Sequence, residues 1–231
     1  MKHKIFFLAF FIFNYSVSYA QKTEVSLALN SGLFYFSGSG AGNTSFFNYN
    51  ATNNIGYVNN PWGTDATISY GLSGEVKYLT KSGFLVNADL GIELLRNRKD
   101  LLPQDGTSNF NGESYLTQTF LNLYPSLGYR LNSNQVSIDL LLGMDLAYSL
   151  NAKEKVNVNS STGLAFSTDR KRETIDFDIR PRPQIGINYK NYGLYIGYSV
   201  GTKNYQDNII GSKNSEVRAN YLRFGINYNL K

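Results

Sequence analysis

The sequence predicts an all-β fold, one eight-stranded antiparallel up-and-down transmembrane β-barrel, and three observations predict it. The first is strict alternation: Ile175, Phe177, Ile179, Ile185, Ile187 and Tyr189 share one parity, and Asp176, Asp178, Arg180, Arg182, Gln184 and Asn188 the other. Leu222, Phe224, Ile226, Tyr228 and Leu230 repeat it against Tyr221, Arg223, Gly225, Asn227 and Asn229. Period two is the mark of a strand with one apolar and one polar face. The second is that tight and long connections alternate along the chain. The third is the placement of aromatic residues and glycines, which decides the face that points outward.

The first 20 residues read as a secretion signal, with Lys2 and Lys4 before an apolar run from Ile5 to Phe13 and a small-x-small site at Ser18-Tyr19-Ala20. The alternative, a retained membrane helix, needs a longer apolar run. A cut after Ala20 leaves 21–231 as the barrel domain, and no cysteine follows the apolar run to carry a lipid anchor. Eight strands are expected at roughly 24–36, 64–79, 83–95, 114–130, 135–149, 173–190, 192–203 and 215–230. Thr80-Lys81-Ser82, Asn132-Ser133-Asn134 and Lys190-Asn191 make tight turns; 37–63, 96–113, 150–172 and 204–214 make long loops rich in Gly, Asn, Ser and Asp. Short turns on one rim and long loops on the other match bacterial outer-membrane barrels, and runs of about nine to eleven tilted residues cross a bilayer.

A soluble barrel of the lipocalin kind would show the same alternation with the apolar face inside. The inverted arrangement is favoured because the polar parity carries glycines suited to a narrow lumen, among them Gly71, Gly91, Gly128, Gly143, Gly197 and Gly225. It is also favoured by two aromatic girdles on the apolar parity. Tyr78, Phe84, Tyr129, Tyr189, Tyr192 and Tyr228 lie by the short turns, and Tyr35, Tyr70, Tyr115 and Tyr148 toward the long loops.

Composition excludes several chemistries. The chain has no cysteine, and its one histidine, His3, belongs to the signal, so the commonest nucleophiles, general bases and metal ligands are missing after Ala20. No catalytic residue, cofactor or metal is expected. The formal charge of +5, two units of it from Lys2 and Lys4, is too mild to argue for nucleic acid.

Parity turns Glu75, Lys77, Asp89, Glu93, Arg130, Asp139, Asp145, Asp176, Asp178, Arg180, Arg182 and Arg223 into the lumen. Nearly balanced signs predict a paired network that plugs and stiffens the barrel; a narrow ion path is the alternative. Counting from the shared loop sets Arg182 near Asp139 and Arg180 near Asp145. Asp176 and Asp178, two apart on one face, could share a proton as an acid–base dyad, but Arg180 and Arg182 beside them would keep both ionised. Pro181 and Pro183 remove two ladder bonds on one side of their strand, giving either a bulge or a lateral weak point, and Pro125 is read the same way.

Among the loops, Phe46, Phe47, Tyr49, Tyr57 and Trp62 suit stacking on a sugar or protein partner, or a self-packed cap over the mouth. Arg96, Arg98 and Lys99, with Arg170, Lys171 and Arg172, fall at the long-loop rim, where they would meet lipopolysaccharide phosphates unless Asp100, Asp169 and Glu173 consume them.

The segments Gln118–Arg130 (QTFLNLYPSLGYR) and Tyr221–Leu230 (YLRFGINYNL) resemble the Bacteroidetes-type outer-membrane β-barrel domain of the PorT-like group. That resemblance implies a monomeric eight-stranded barrel inserted by the barrel-assembly machinery, without a shared active site, in a phylum where the group is tied to protein secretion and gliding. One departure is the ending Leu230-Lys231, where such barrels often close on an aromatic residue. The expectation is therefore a small integral outer-membrane protein of structural or interaction type, in contact with outer-membrane lipid and lipopolysaccharide and with an extracellular or secretion-machinery partner. A narrow pore or solute-specific channel is the alternative, and a lipid-modifying enzyme a disfavoured third.

Overall fold

Eight strands close a ring in the computed structural model of the chain, which describes residues 20–50, 55–103, 110–160, 165–207 and 215–230. The expected signal, apart from Ala20, lies outside the described residues. In chain order the strands are β1 (Ala20–Ser37), β2 (Thr44–Asn50), β3 (Ile55–Val58), β4 (Asp65–Thr80), β5 (Phe84–Pro103), β6 (Phe110–Ser133), β7 (Val136–Ser160), β8 (Ala165–Lys171), β9 (Phe177–Tyr189), β10 (Tyr192–Val200) and β11 (Arg218–Asn229). The ring runs β1, β4, β5, β6, β7, β9, β10, β11 and back to β1, every neighbour antiparallel.

The apolar face points outward. Leu29, Leu72, Leu90, Leu127, Leu142, Ile187, Leu194 and Ile226, one from each ring strand, are all more than half exposed. In water each would forfeit roughly 1.5–3 kcal/mol of burial, a penalty that vanishes against lipid tails. Arg180, Arg182 and Arg223 are instead wholly buried inside. A soluble barrel has the opposite arrangement. Tyr129, Tyr189, Tyr192 and Tyr228 ring the short-turn end on the outer face, and Tyr70 and Tyr148 stand toward the other.

Three tight connections close the short-turn rim, each with a left-handed residue: Gly83, Asn134 and Lys190. Such φ values are easy for glycine and tolerated by asparagine, so Lys190 is the costly one. The backbone N–H of Asn229 donates to the Asn191 carbonyl at this rim, bringing the chain's last strand to the same end as Ala20.

The long-loop side differs from expectation. β5, β6 and β7 run far past the apolar band, β2 and β3 form a hairpin within 37–63, and β8 pairs with β7 within 150–172. β2 lies parallel to β5 from Thr44↔Asp100 to Phe47↔Pro103. A small second core, Phe47, Val58, Leu101, Val156 and Val158 with Phe166 against it, holds these extensions together. One residue makes this possible. Between Phe120↔Ser149 and Thr119↔Asn151 the β6–β7 register skips Leu150, a β-bulge that reverses parity. Below it Asp145 and Ala147 face inward; above it Ala152, Glu154 and Val156 do.

The prolines act without the bulge that is one reading of them. The β7–β9 register stays in step through Met144↔Pro181 and Leu142↔Pro183, and the β6–β7 register is the same on both sides of Pro125. The ladders simply lose rungs. β9–β10 pairing stops at Gly197↔Gln184, one residue short of Pro183, and the strands rejoin where the Thr202 N–H donates to the Ile179 carbonyl at 3.1 Å.

Gly32 lies on the β1–β11 seam, where an added Cβ would fall 2.1 Å from the Leu222 carbonyl oxygen and 2.6 Å from the Tyr221 ring, whereas one at Gly74 meets nothing within 4 Å. Gly32→Ala is therefore expected to lower unfolding stability by about 1–3 kcal/mol, and Gly74→Ala to leave it within about 0.5 kcal/mol, in denaturant titrations of protein refolded into bilayers. Equal behaviour of the two variants would contradict this packing of the seam.

Candidate functional site

The interior is stacked in layers. At the short-turn end Arg130 donates to both Glu24 oxygens at 2.7 and 2.9 Å and to both Asp139 oxygens at 2.6 and 2.8 Å. Lys77 joins Asp139 at 3.4 Å and Glu75 at 3.0 Å. A polar vestibule of about 370 Å³ opens at this rim, lined by Lys22, Asn188 and Asn229 among others, and its floor is Lys77, Glu24 and Arg130.

Midway, the wholly buried Asp145 carboxylate accepts from four strands: Asn122 on β6 at 3.1 Å, Arg182 on β9 at 3.0 Å, Ser199 on β10 at 2.6 Å and Arg223 on β11 at 3.4 Å. Arg223 also grips Glu93 on β5 at 2.5 Å, and Arg182 donates to Gln184. Higher, Arg180 donates to Asp178 at 2.8 Å and to the Tyr205 hydroxyl at 3.0 Å. Each of these arginines also lies over an aromatic ring: Arg180 over Phe120, Arg182 over Tyr124 and Arg223 over Tyr221, at 4.6, 3.9 and 4.5 Å. Delocalised guanidinium charge is well suited to such a position, where it meets a π-face and a carboxylate together.

Above the arginines the lumen turns apolar. Phe34, Phe36, Trp62, Leu95, Leu116, Phe120, Tyr205 and Val217 form one buried cluster. Trp62, from the 37–63 connection, and Tyr205, following β10, reach into it, with ring centroids of Phe36, Trp62 and Tyr205 5.0–5.4 Å apart. The barrel is filled rather than hollow.

Eleven of the twelve charged residues assigned to the lumen by parity are buried there; Asp176 is exposed at a bend before β9. Asp176 and Asp178 consequently share no face, and no carboxylate dyad forms. Asp89 stands opposite Glu75 and makes no ion pair among the described residues. The expected Arg182–Asp139 pair is wrong: Asp139 lies opposite Gly186, four residues away, and Arg182 reaches Asp145. Arg180 does stand opposite Asp145 but turns to Asp178. Parity fixes the faces of Arg182 and Asp139 but not their register, because β7 runs on to pair with β8 before β9 begins. Glu24, outside the expected set, shares parity with the inward Ser26 and Asn30, which is the signal in the sequence that marks it.

The rim cations separate into two kinds. Lys99 and Arg172 do not face out to lipid. Lys99 is 1 % exposed, and Arg172 donates to Glu154 at 2.9 Å and to the Val58 carbonyl. Arg98 is held by Asp100 at 2.9 Å and Glu113 at 2.7 Å. Arg96 lies outside over the Tyr115 ring at 3.9 Å, and Arg170 is half-buried. Lys171 is exposed. Of the loop aromatics, Phe46 is exposed and Phe47 and Trp62 are buried; the side chains of Tyr49 and Tyr57 lie outside the described residues.

Two outcomes follow from this interior. A double-mutant cycle between Arg182→Met and Asp145→Asn is expected to show coupling above about 1 kcal/mol, and one between Arg182→Met and Asp139→Asn less than about 0.5 kcal/mol; the reverse ranking would contradict the register. The second concerns Lys99, whose Nζ has no hydrogen-bond partner among the described residues. Burial pulls its amine down from 10.5 to about 8, against the opposing fields of Asp65 and Glu154. The unfolded chain then binds the proton more tightly than the folded one, so stability rises as pH climbs from about 8 toward 10.5. Lys99→Met is expected to stabilise the protein at pH 7.5 by about 1–3 kcal/mol, with the advantage shrinking by pH 10. A pH-independent difference in unfolding midpoints would rule this out.

No protein-family profile and no curated protein matches the chain. Among solved structures it is similar to Ail of Yersinia pestis in complex with the heparin analogue sucrose octasulfate, at 12% identity over 91% of this chain and 100% of that one, TM-score 0.36. It is likewise similar to Neisserial surface protein A, at 12% identity over 90% and 99% of the two chains, TM-score 0.40. The N-terminal β-barrel domain of Pseudomonas aeruginosa OprF follows at 11% identity over 90% and 100%, TM-score 0.28. The fold assignment stands on the chain's own closed ring and its outward apolar band.

Proposed function

We propose that the chain is a small integral outer-membrane protein of structural or interaction type, with long-loop strands outside the cell and a barrel that does not conduct. One observation carries this reading: ion pairs fill the lower and middle lumen, and the Phe36–Trp62–Tyr205 cluster closes it above. A path for a hydrated ion would have to break both. Eight strands already leave an interior only wide enough for side chains. Contact with other molecules then falls to its surfaces, above all the outside of the β-structure at the long-loop rim.

The PorT-like character of Gln118–Arg130 and Tyr221–Leu230 supports a finer assignment, a barrel of that group linked to secretion or surface functions and delivered by the barrel-assembly machinery. Partners would then meet β2, β3 and β8, the strands that stand clear of the barrel wall.

Planar-bilayer recording tests the reading. Full-length mature protein whose gel band shifts on boiling is expected to give no discrete conductance steps. Steps that change amplitude in Arg182→Ala would establish the channel alternative.

A further inference from the structure

The strand register places four outward residues in one straight row above the apolar band. Arg96 on β5 stands opposite Thr117 on β6, Thr117 opposite Lys153 on β7, and Lys153 opposite Lys171 on β8. At about 4.8 Å between strands the row spans roughly 14 Å. Two residues lower lies Leu94 opposite Thr119 and Asn151, and below that Ile92, Leu121, Tyr148 and Phe177 at the edge of the lipid-facing surface.

This row contains no carboxylate. The next row outward is neutralised, since Lys155 faces Asp169 and Arg98 is held by Asp100 and Glu113. Lys153 and Lys171 are exposed and make no ion pair among the described residues. Arg96 lies over the Tyr115 ring at 3.9 Å, and its Nε is buried without a hydrogen-bond partner among the described residues. The Leu150 bulge puts Lys153 into the row. Were β7 in step with its lower half, Glu154 would face lipid headgroups and Lys153 the interior.

We propose that Arg96, Thr117, Lys153 and Lys171 form a binding site for the phosphorylated headgroup of an outer-leaflet lipid. Three cations and a hydroxyl in a line suit phosphate groups spread along one headgroup, while the apolar surface directly below accommodates the acyl chains. The site rests on the outer-membrane reading above, and it deepens that reading by naming a lipid.

The chain's single tryptophan, Trp62, is buried in the plug at this rim and serves as an energy donor. Full-length mature protein in zwitterionic nanodiscs is titrated with dansyl-labelled bis-phosphorylated lipid A. Lys153→Ala or Lys171→Ala is expected to weaken the apparent affinity about fivefold, and the double variant about 25-fold. Lys81→Ala, on the opposite rim, is expected to change nothing. The boiling shift and the silent bilayer persist in every variant, so a failure here is distinct from a failure of the barrel assignment. Unchanged affinity in the double variant, an equal loss in Lys81→Ala, or equal binding of the dephosphorylated lipid overturns the site. Displacement by the deacylated soluble headgroup at the same affinity would assign it to a free phosphate and overturn the lipid.

Discussion

The Asp145 carboxylate is the interaction on which the barrel's middle depends. Pro125, Pro181 and Pro183 strip rungs from the ladders around it: Met144, its neighbour on β7, has Pro181 opposite on β9, and Pro125 flanks the break in β6–β7 pairing. Where the backbone cannot hold the wall, side chains do. Asn122, Arg182, Ser199 and Arg223 tie β6, β9, β10 and β11 to one carboxylate on β7, and the Tyr124 hydroxyl donates to the Arg182 carbonyl between the two prolines. A buried ion pair is often no better than a well-packed apolar substitute. Here it does something an apolar side chain cannot, which is to supply directional bonds across several strand seams at once.

Much of this was legible in the sequence because period two is unforgiving. A strand of a membrane barrel must present lipid to one side and a crowded lumen to the other, so Arg180, Arg182 and Arg223 announced their faces by parity alone. Register was not legible. Parity says which way Arg182 points but not which acid it meets, and the partner depended on where β7 stopped pairing with β9, a long-range fact. The Leu150 bulge hid part of the rest. Above it the inward parity of β7 switches and 150–172 loses the pattern that marks a strand, while 96–103, where β5 keeps its parity, loses it because charged residues occupy both faces.

The same limit explains the rim cations. Arg96 and Lys99 sit three apart in sequence and look equivalent as members of one basic cluster, yet they occupy opposite faces of β5. Lys153 and Lys171 are eighteen positions apart and became neighbours only through the β7–β8 pairing. A charge cluster in sequence is thus a poor guide to a charge cluster in space when the segment is a strand: adjacent residues diverge, and cross-strand residues converge.

The two ends of the lumen also follow from different demands. At the short turns Glu24, Lys77 and Arg130 are buried but border the polar vestibule, so the layer they form lies next to an open polar space. Toward the long loops Arg180 and Asp178 have no such access, and the tyrosine of the following connection, Tyr205, caps both with one hydroxyl while its ring packs on Phe36 and Trp62. That residue serves the charged layer below and the apolar layer above together. With the interior committed in this way to its own closure, the Leu150 bulge keeps Glu154 inside beside Arg172 and turns Lys153 outward, so a single extra residue in β7 decides which charge that strand presents beyond the apolar band.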